Sequence, residues 1–165
     1  MPDILLSTLN AKYIHAAFGL RCLLANLGEL SDRATIAEFD INQRPLDIAE
    51  AILAANPLIL GLGVYIWNVT PTAELVAILR RLRPQLIIVL GGPEVSHEWE
   101  GQEIIRLADH VITGEADLAF AQLCRTLKFS NLPLIQQHHH ISQPQHLPRL
   151  LNRLVGQLLQ VAGWQ

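Results

Sequence analysis

Residues suited to binding chemistry gather at four points of the chain. Ser7, Thr8 and Asn10 form the first group and Gly63, Tyr65, Trp67 and Asn68 the second. Gly91, Gly92 and Glu94 form the third, and Gly114, Glu115 and Asp117 the fourth. Glycine lets a ligand approach the backbone and takes angles closed to other residues. Aromatic rings stack on flat ligands, while amides and hydroxyls fix their orientation. Each group also has a purely structural reading. Gly61 and Gly63 relieve crowding between a strand and a helix, Gly91 and Gly92 make a tight turn, Tyr65 and Trp67 plug the end of a sheet, and Glu115 favours a helix N-terminus.

Bond-breaking chemistry is not assigned. Ser7 and Ser96 lack the G-x-S-x-G frame, and no glycine-rich loop ends in Lys-Ser/Thr. The first corner lacks G-x-G-x-x-G, which argues against a dinucleotide dehydrogenase. His138, His139 and His140 are adjacent in a polar stretch. Neighbouring histidines cannot all face one ion with good geometry, and no cysteine or carboxylate lies near them, so no metal site is assigned.

The groups are positioned by short apolar runs. Residues 86–90 are Leu-Ile-Ile-Val-Leu and run straight into Gly91-Gly92-Pro93. That length is too short for a helix and fits a strand buried on both faces of a parallel sheet. Similar runs predict strands at 3–8, 34–39, 58–64 and 110–113. Helical spacing predicts helices at 14–30, 45–55, 70–83, 102–107 and 116–127, with Thr70 capping the third and Pro71 at its first position. Strands alternating with helices predict an α/β fold. It is a flavodoxin-like (Rossmann-like) doubly wound five-stranded parallel sheet, order 2-1-3-4-5, with helices on both faces. Ligands bind such sheets at the strand carboxyl ends, and all four groups fall on that edge. Helix N-termini point there too and favour phosphate.

Residues 1–129 make up this domain. Residues 130–146 read as a polar linker and 147–165 as a helical tail, with Leu150, Leu151, Leu154, Val155, Leu158 and Leu159 on one face. Half of the 165 residues are apolar and only 16% are charged. A net charge of -3 leaves no basic field for nucleic acid or an anionic membrane. No apolar run approaches the roughly 20 residues of a membrane span. The N-terminus lacks a secretory pattern, and Cys22 and Cys124 read as reduced thiols, so a cytoplasmic setting is expected. The apolar excess and the tail predict a domain interface or a homodimer.

Four stretches together resemble a known family: STLNAKYIHAAFGLR at 7–21, LGLGVYIWN at 60–68, GGPEVS at 91–96 and GEAD at 114–117. They are similar to the N-terminal cobalamin-binding domain of cobalamin-dependent radical SAM proteins, and the likeness covers residues 3 to about 128. The resemblance implies a flavodoxin-like fold with cobalamin across the strand carboxyl ends. Gly63, Val64 and Tyr65 would line the pocket of the nucleotide tail, with Gly91, Gly92 and Pro93 opposite and Gly114 and Glu115 closing it. Asn10, Tyr13 and His15 would face the corrin.

Two departures refine that expectation. Cobalamin mutases and methionine synthase carry D-x-H-x-x-G after the first strand. This loop has no Asp-x-His, and His15 is one residue too far from Gly19. Base-off binding without a histidine ligand is therefore expected. The C-x-x-x-C-x-x-C of a radical SAM cluster is also missing, so this chain resembles the binding module of such a system and not a complete enzyme. The alternatives are a cofactor-free interaction or regulatory domain on the same fold, or another flavodoxin-like, nucleotide-binding enzyme.

Overall fold

The computed structural model of the chain describes residues 2–11, 16–96, 101–129 and 139–142. Strand β1 (Ile4–Asn10) is followed by α1 (Phe18–Asn26) and a 3₁₀ helix (Gly28–Arg33). Then come β2 (Ala34–Asp40), α2 (Pro45–Ala55), β3 (Ile59–Gly63) and α3 (Val69–Leu82). The remainder is β4 (Ile87–Gly91), α4 (Glu103–Leu107), β5 (His110–Thr113), α5 (Asp117–Phe129) and β6 (His139–Ser142). The strand order is β2-β1-β3-β4-β5-β6, and every pairing is parallel. The predicted flavodoxin-like order 2-1-3-4-5 is thus the order observed.

Three details differ from the sequence expectation. The first helix is shorter than 14–30. It gives way at Gly28, whose φ of 61° is left-handed, and the chain winds on as a 3₁₀ helix. Leu27 and Leu30 are still buried, so the apolar spacing reported burial correctly and α-helix incorrectly. The third helix starts at Val69 with Asn68 in the cap position, which puts Thr70 and Pro71 inside its first turn. Finally, β6 extends the sheet beside β5, inside the stretch expected to be a linker. The predicted tail helix at 147–165 lies outside the described residues.

Side chains alternate across each strand, so each strand feeds two layers. Leu5 and Leu9, Leu60 and Leu62, Ile88 and Leu90 join one core, which α2, α3 and α4 cover. Ile4 and Leu6, Ile59, Val89 and Ile112 join the other, which α1 and α5 cover. Pro45 opens α2 at a position where its missing N–H needs no partner, and Asn56, at φ 53°, closes it.

The amino end of the sheet is pinned by one arginine. Arg80 of α3 donates to the carbonyls of Leu107 (2.6 Å) and Leu86 (2.8 Å) and pairs with Asp109. Asp109 also accepts the Ile88 N–H at 2.7 Å. This joins α3 to the entrances of β4 and β5. Nothing in the sequence marked Arg80 out from its neighbours on an exposed-looking helix turn.

Candidate ligand site

The strand carboxyl ends open into a cavity of about 130 Å3 between the sheet, α1 and α5. Its floor is made by glycines. Gly61 and Gly63 on β3 are two residues apart and so face the same way, and Gly91 ends β4 on the same side. On the opposite side of the sheet the same strand ends carry Leu62, Val64 and Leu90, all buried in the other core. Gly19, Leu20 and Leu23 of α1 make one wall. Ala116, Asp117 and Phe120, from the start of α5, make the other.

The glycines do different jobs. A Cβ on Gly61 would stand 3.0 Å from Leu6 and 3.1 Å from the Phe120 ring, so this glycine exists to let α5 lie close. Gly92, at φ 109°, would drive a Cβ to 2.5 Å from the Val64 carbonyl oxygen, so it serves the turn. By contrast Gly91 and Gly114 are open: the nearest atom to a Cβ on Gly91 is the Ile112 carbonyl oxygen at 3.8 Å, and nothing lies within 4 Å for Gly114. The structural reading of the glycines therefore holds at Gly61 and Gly92, while Gly91 and Gly114 border open space.

The structure brings Gly63, Tyr65, Gly91, Gly92 and Gly114 together around the cavity. Other residues expected there are placed elsewhere. β1 continues to Asn10, so Ser7 and Thr8 lie within the strand and not in its corner. Ser7 Oγ donates to the Ala37 carbonyl at 2.7 Å, and Thr8 Oγ1 to the Gly63 carbonyl at 2.8 Å. Asn68 is fully buried. Its Nδ2 donates to Thr8 Oγ1, the Leu9 carbonyl and the Gly63 carbonyl, and its Oδ1 accepts the Tyr65 N–H at 2.8 Å. Thr8 and Asn68 lock β1 to the end of β3, and Ser7 ties β1 to β2.

Val64 points into the opposite core, and its backbone holds the β4 corner through Gly91 and Glu94. Pro93 and Glu115 are exposed, and Glu94 is partly buried outside the cavity wall. Tyr65 and Trp67 stack on each other, with ring centroids 4.6 Å apart and planes within 7°. Tyr65 lines the cavity and Trp67, half exposed, backs it. Tyr13 and His15 lie outside the described residues.

Asn10 takes part in a cluster that fixes the start of α1. Its Nδ2 donates to Glu38 Oε2 at 2.8 Å, and Glu38 also accepts from the Ala17 N–H and from Arg21. Burial pushes the Glu38 carboxyl up, but the hydrogen bonds from Arg21, Asn10 and Ala17 outweigh it and hold the carboxyl below its ordinary range. Ser96 also escaped the sequence reading as a positioning residue. Its hydroxyl donates to the Gly92 carbonyl at 2.7 Å and accepts the Gly114 N–H at 3.1 Å, which ties the corners of β4 and β5 together.

The remaining electrostatics are those of an apolar site. Burial pushes the Tyr65 phenol up. Burial and the neighbouring Glu115 raise the Asp117 carboxyl, and burial and Asp117 raise the Cys22 thiol of α1. Among the described residues no three His, Cys, Asp or Glu side chains stand together as a metal site. Of the wall residues of α1 and α5, only Asp117 was read from the sequence. The period-two spacing of Gly61 and Gly63 could have revealed the open face, but nothing local says which helices cover it.

A doubly wound parallel sheet with a glycine-floored cavity at its carboxyl edge is the architecture of a small-molecule-binding domain. The B12 binding domain family matches residues 5–124, and the chain belongs to that family. Among solved structures, a cobalamin-binding protein from Desulfitobacterium hafniense DCB-2 superposes with a TM-score of 0.53 at 24% identity. The match covers 76% of this chain and 58% of that one, so this chain spans less than two thirds of that protein. A CheY-like protein (tadZ) from Pseudomonas aeruginosa PAO1 superposes with a TM-score of 0.54 at 18% identity, over 82% of this chain and 99% of the other. At these identities both share the fold. No curated protein matches the chain. Cobalamin is the cofactor of that family. No helix among the described residues is long and apolar enough to cross a membrane.

Proposed function

We propose that the chain holds cobalamin base-off, without a histidine ligand to cobalt, as the corrinoid-carrying module of a radical SAM type system. The observation that carries this reading is the glycine-floored cavity. A flat, mostly apolar ring needs a slot whose floor has no side chains, and Gly91 and Gly114 leave such a slot beside Gly63 at the strand ends. Tyr65, Leu20, Leu23 and Phe120 offer apolar walls to the nucleotide base. The corrin would lie over the carboxyl edge, toward Asn10 and, as the resemblance implies, Tyr13 and His15.

Bound cobalamin would supply a cobalt centre for methyl transfer or radical rearrangement. The residues of this chain orient it and keep water from its base. The absence of Asp-x-His after β1 supports a base-off mode without a histidine ligand. These residues contain no C-x-x-x-C-x-x-C, so in this reading the cluster belongs to a radical SAM domain or protein that works with this one. Phe18, Ile66, Trp67 and Leu118 are exposed apolar side chains at the carboxyl edge, where a radical SAM domain, or a second copy of the chain, would close over the cofactor. The free thiols Cys22 and Cys124 fit a cytoplasmic setting.

The test is a titration with hydroxocobalamin, followed by gel filtration and a visible spectrum. Co-elution with a base-off spectrum is the expected result, and the elution volume reports whether the loaded protein is a dimer. No retention at high micromolar concentration would reject the cofactor for this chain and favour the cofactor-free interaction domain.

A further inference from the structure

Among the described residues that line the cavity, two carry polar side chains, Tyr65 and Asp117. They stand on opposite sides of β4, one after β3 and one at the start of α5. The Tyr65 hydroxyl faces the first turn of α1, where a Cβ on Gly19 would stand 3.7 Å from it. Asp117 is partly buried, and among the described residues no hydrogen bond reaches its carboxyl. The other carboxylates drawn into the fold are served: Glu38 by Arg21, Asn10 and the Ala17 N–H, and Asp109 by Arg80 and the Ile88 N–H. Among the described residues Asp117 interacts electrostatically with Glu115 and with the Cys22 thiol, and neither hydrogen-bonds to it. A partly buried acceptor in an apolar wall leaves a hydrogen-bonding position that a ligand donor can fill.

The base of a cobalamin bound base-off has the complementary need. Its ring nitrogen, released from cobalt, loses water on entering an apolar slot. We propose that Asp117 recognises that ring nitrogen by sharing one proton with it, and that this contact selects corrinoids whose lower base carries such a nitrogen. The inference rests on the cobalamin reading and deepens it. One proton serves both groups, as N–H donating to the carboxylate or as O–H donating to the nitrogen, so no other acid or base is required. The raised carboxyl of Asp117 fits the second arrangement.

Two corrinoids separate this contact from general binding: hydroxocobalamin, and a cobamide whose lower base is a phenol, an aromatic ring without a ring nitrogen. Affinities are measured on the full chain by equilibrium dialysis. Asp117→Leu is expected to weaken hydroxocobalamin about tenfold, the worth of one buried hydrogen bond, and to leave the phenolic cobamide unchanged. Asp117→Asn, which keeps the shape and an N–H donor, is expected to retain most of the hydroxocobalamin affinity and guards against a folding defect in the leucine variant. Tyr65→Phe is expected to affect the two corrinoids equally. Equal losses for both ligands in Asp117→Leu, or no loss, would overturn the assignment while leaving the cobalamin reading in place. Retention of neither corrinoid by the wild type would overturn both.

Discussion

The two faces of the sheet use the same strands to opposite ends. Under α2, α3 and α4, the strand ends carry Leu62, Val64 and Leu90, and the core is filled up to the carboxyl edge. Under α1 and α5, the same strand ends carry Gly61, Gly63 and Gly91, and a cavity remains. Adjacent residues of one strand therefore serve opposite faces, so that Leu90 fills space and Gly91 leaves it open. One face supplies the stability that lets the other stay incompletely packed.

The largest expected effect falls on the filled face. Leu90→Ala removes a fully buried side chain and is expected to lower the unfolding free energy by about 2–5 kcal/mol, read from urea denaturation. A loss well below that would mean that the two faces are packed alike. On the open face Gly91→Leu adds a larger side chain where its Cβ meets nothing closer than 3.8 Å. Stability is expected to change by about 1 kcal/mol or less, while hydroxocobalamin retention is lost. An unfolded Gly91→Leu protein would show that the cavity is not free space.

A smaller effect separates how the helices are held. At its first turn α1 depends on Glu38 and its donors as well as on apolar packing. Glu38→Gln is expected to remove roughly 1–2 kcal/mol at neutral pH. Because the folded carboxyl titrates below the ordinary glutamate value of about 4.3, its contribution is full above that range and fades as pH falls through the folded value. The stability curves of wild type and Glu38→Gln should therefore converge in acid; a constant gap would place the effect in packing. The smallest effect concerns the thiols. Cys124 is fully buried and its thiol is pushed up to about 12 by burial, which Arg125 only partly offsets, whereas Cys22 is partly exposed. Mild alkylation at pH 8 should modify Cys22 first and Cys124 only on unfolding, as mass spectrometry of the peptides would report.

The expectation of a sheet and its strand order came from local signals. Leu86 to Leu90 could only be a short buried strand, and Gly91-Gly92-Pro93 could only end it. Right-handed crossovers then left few arrangements for five such units. Pro45 and Asn56 marked the ends of α2 by their own backbone preferences. These features depend on a few neighbouring residues, so a sequence carries them openly. The glycine groups were legible as the carboxyl edge of the sheet for the same reason.

Tertiary packing decided what the edge could do. Asn68, Thr8 and Ser7 have side chains equally able to hold a ligand or a backbone, and the meeting of β1, β2 and β3 committed them to the backbone. Phe120 sits in the cavity wall because α5 rotates that side toward Gly61, which no local pattern specifies. Asp117 is left without a hydrogen-bond partner among the described residues only because α1 presents Cys22 and aliphatic side chains opposite it. The sequence by itself determined which segments become strands and where the chain turns, because those follow from dihedral preference and apolar period. Which polar groups are satisfied and which face an open cavity was decided only when distant segments met, because a hydrogen bond is satisfied by whatever group packing brings within about 3 Å.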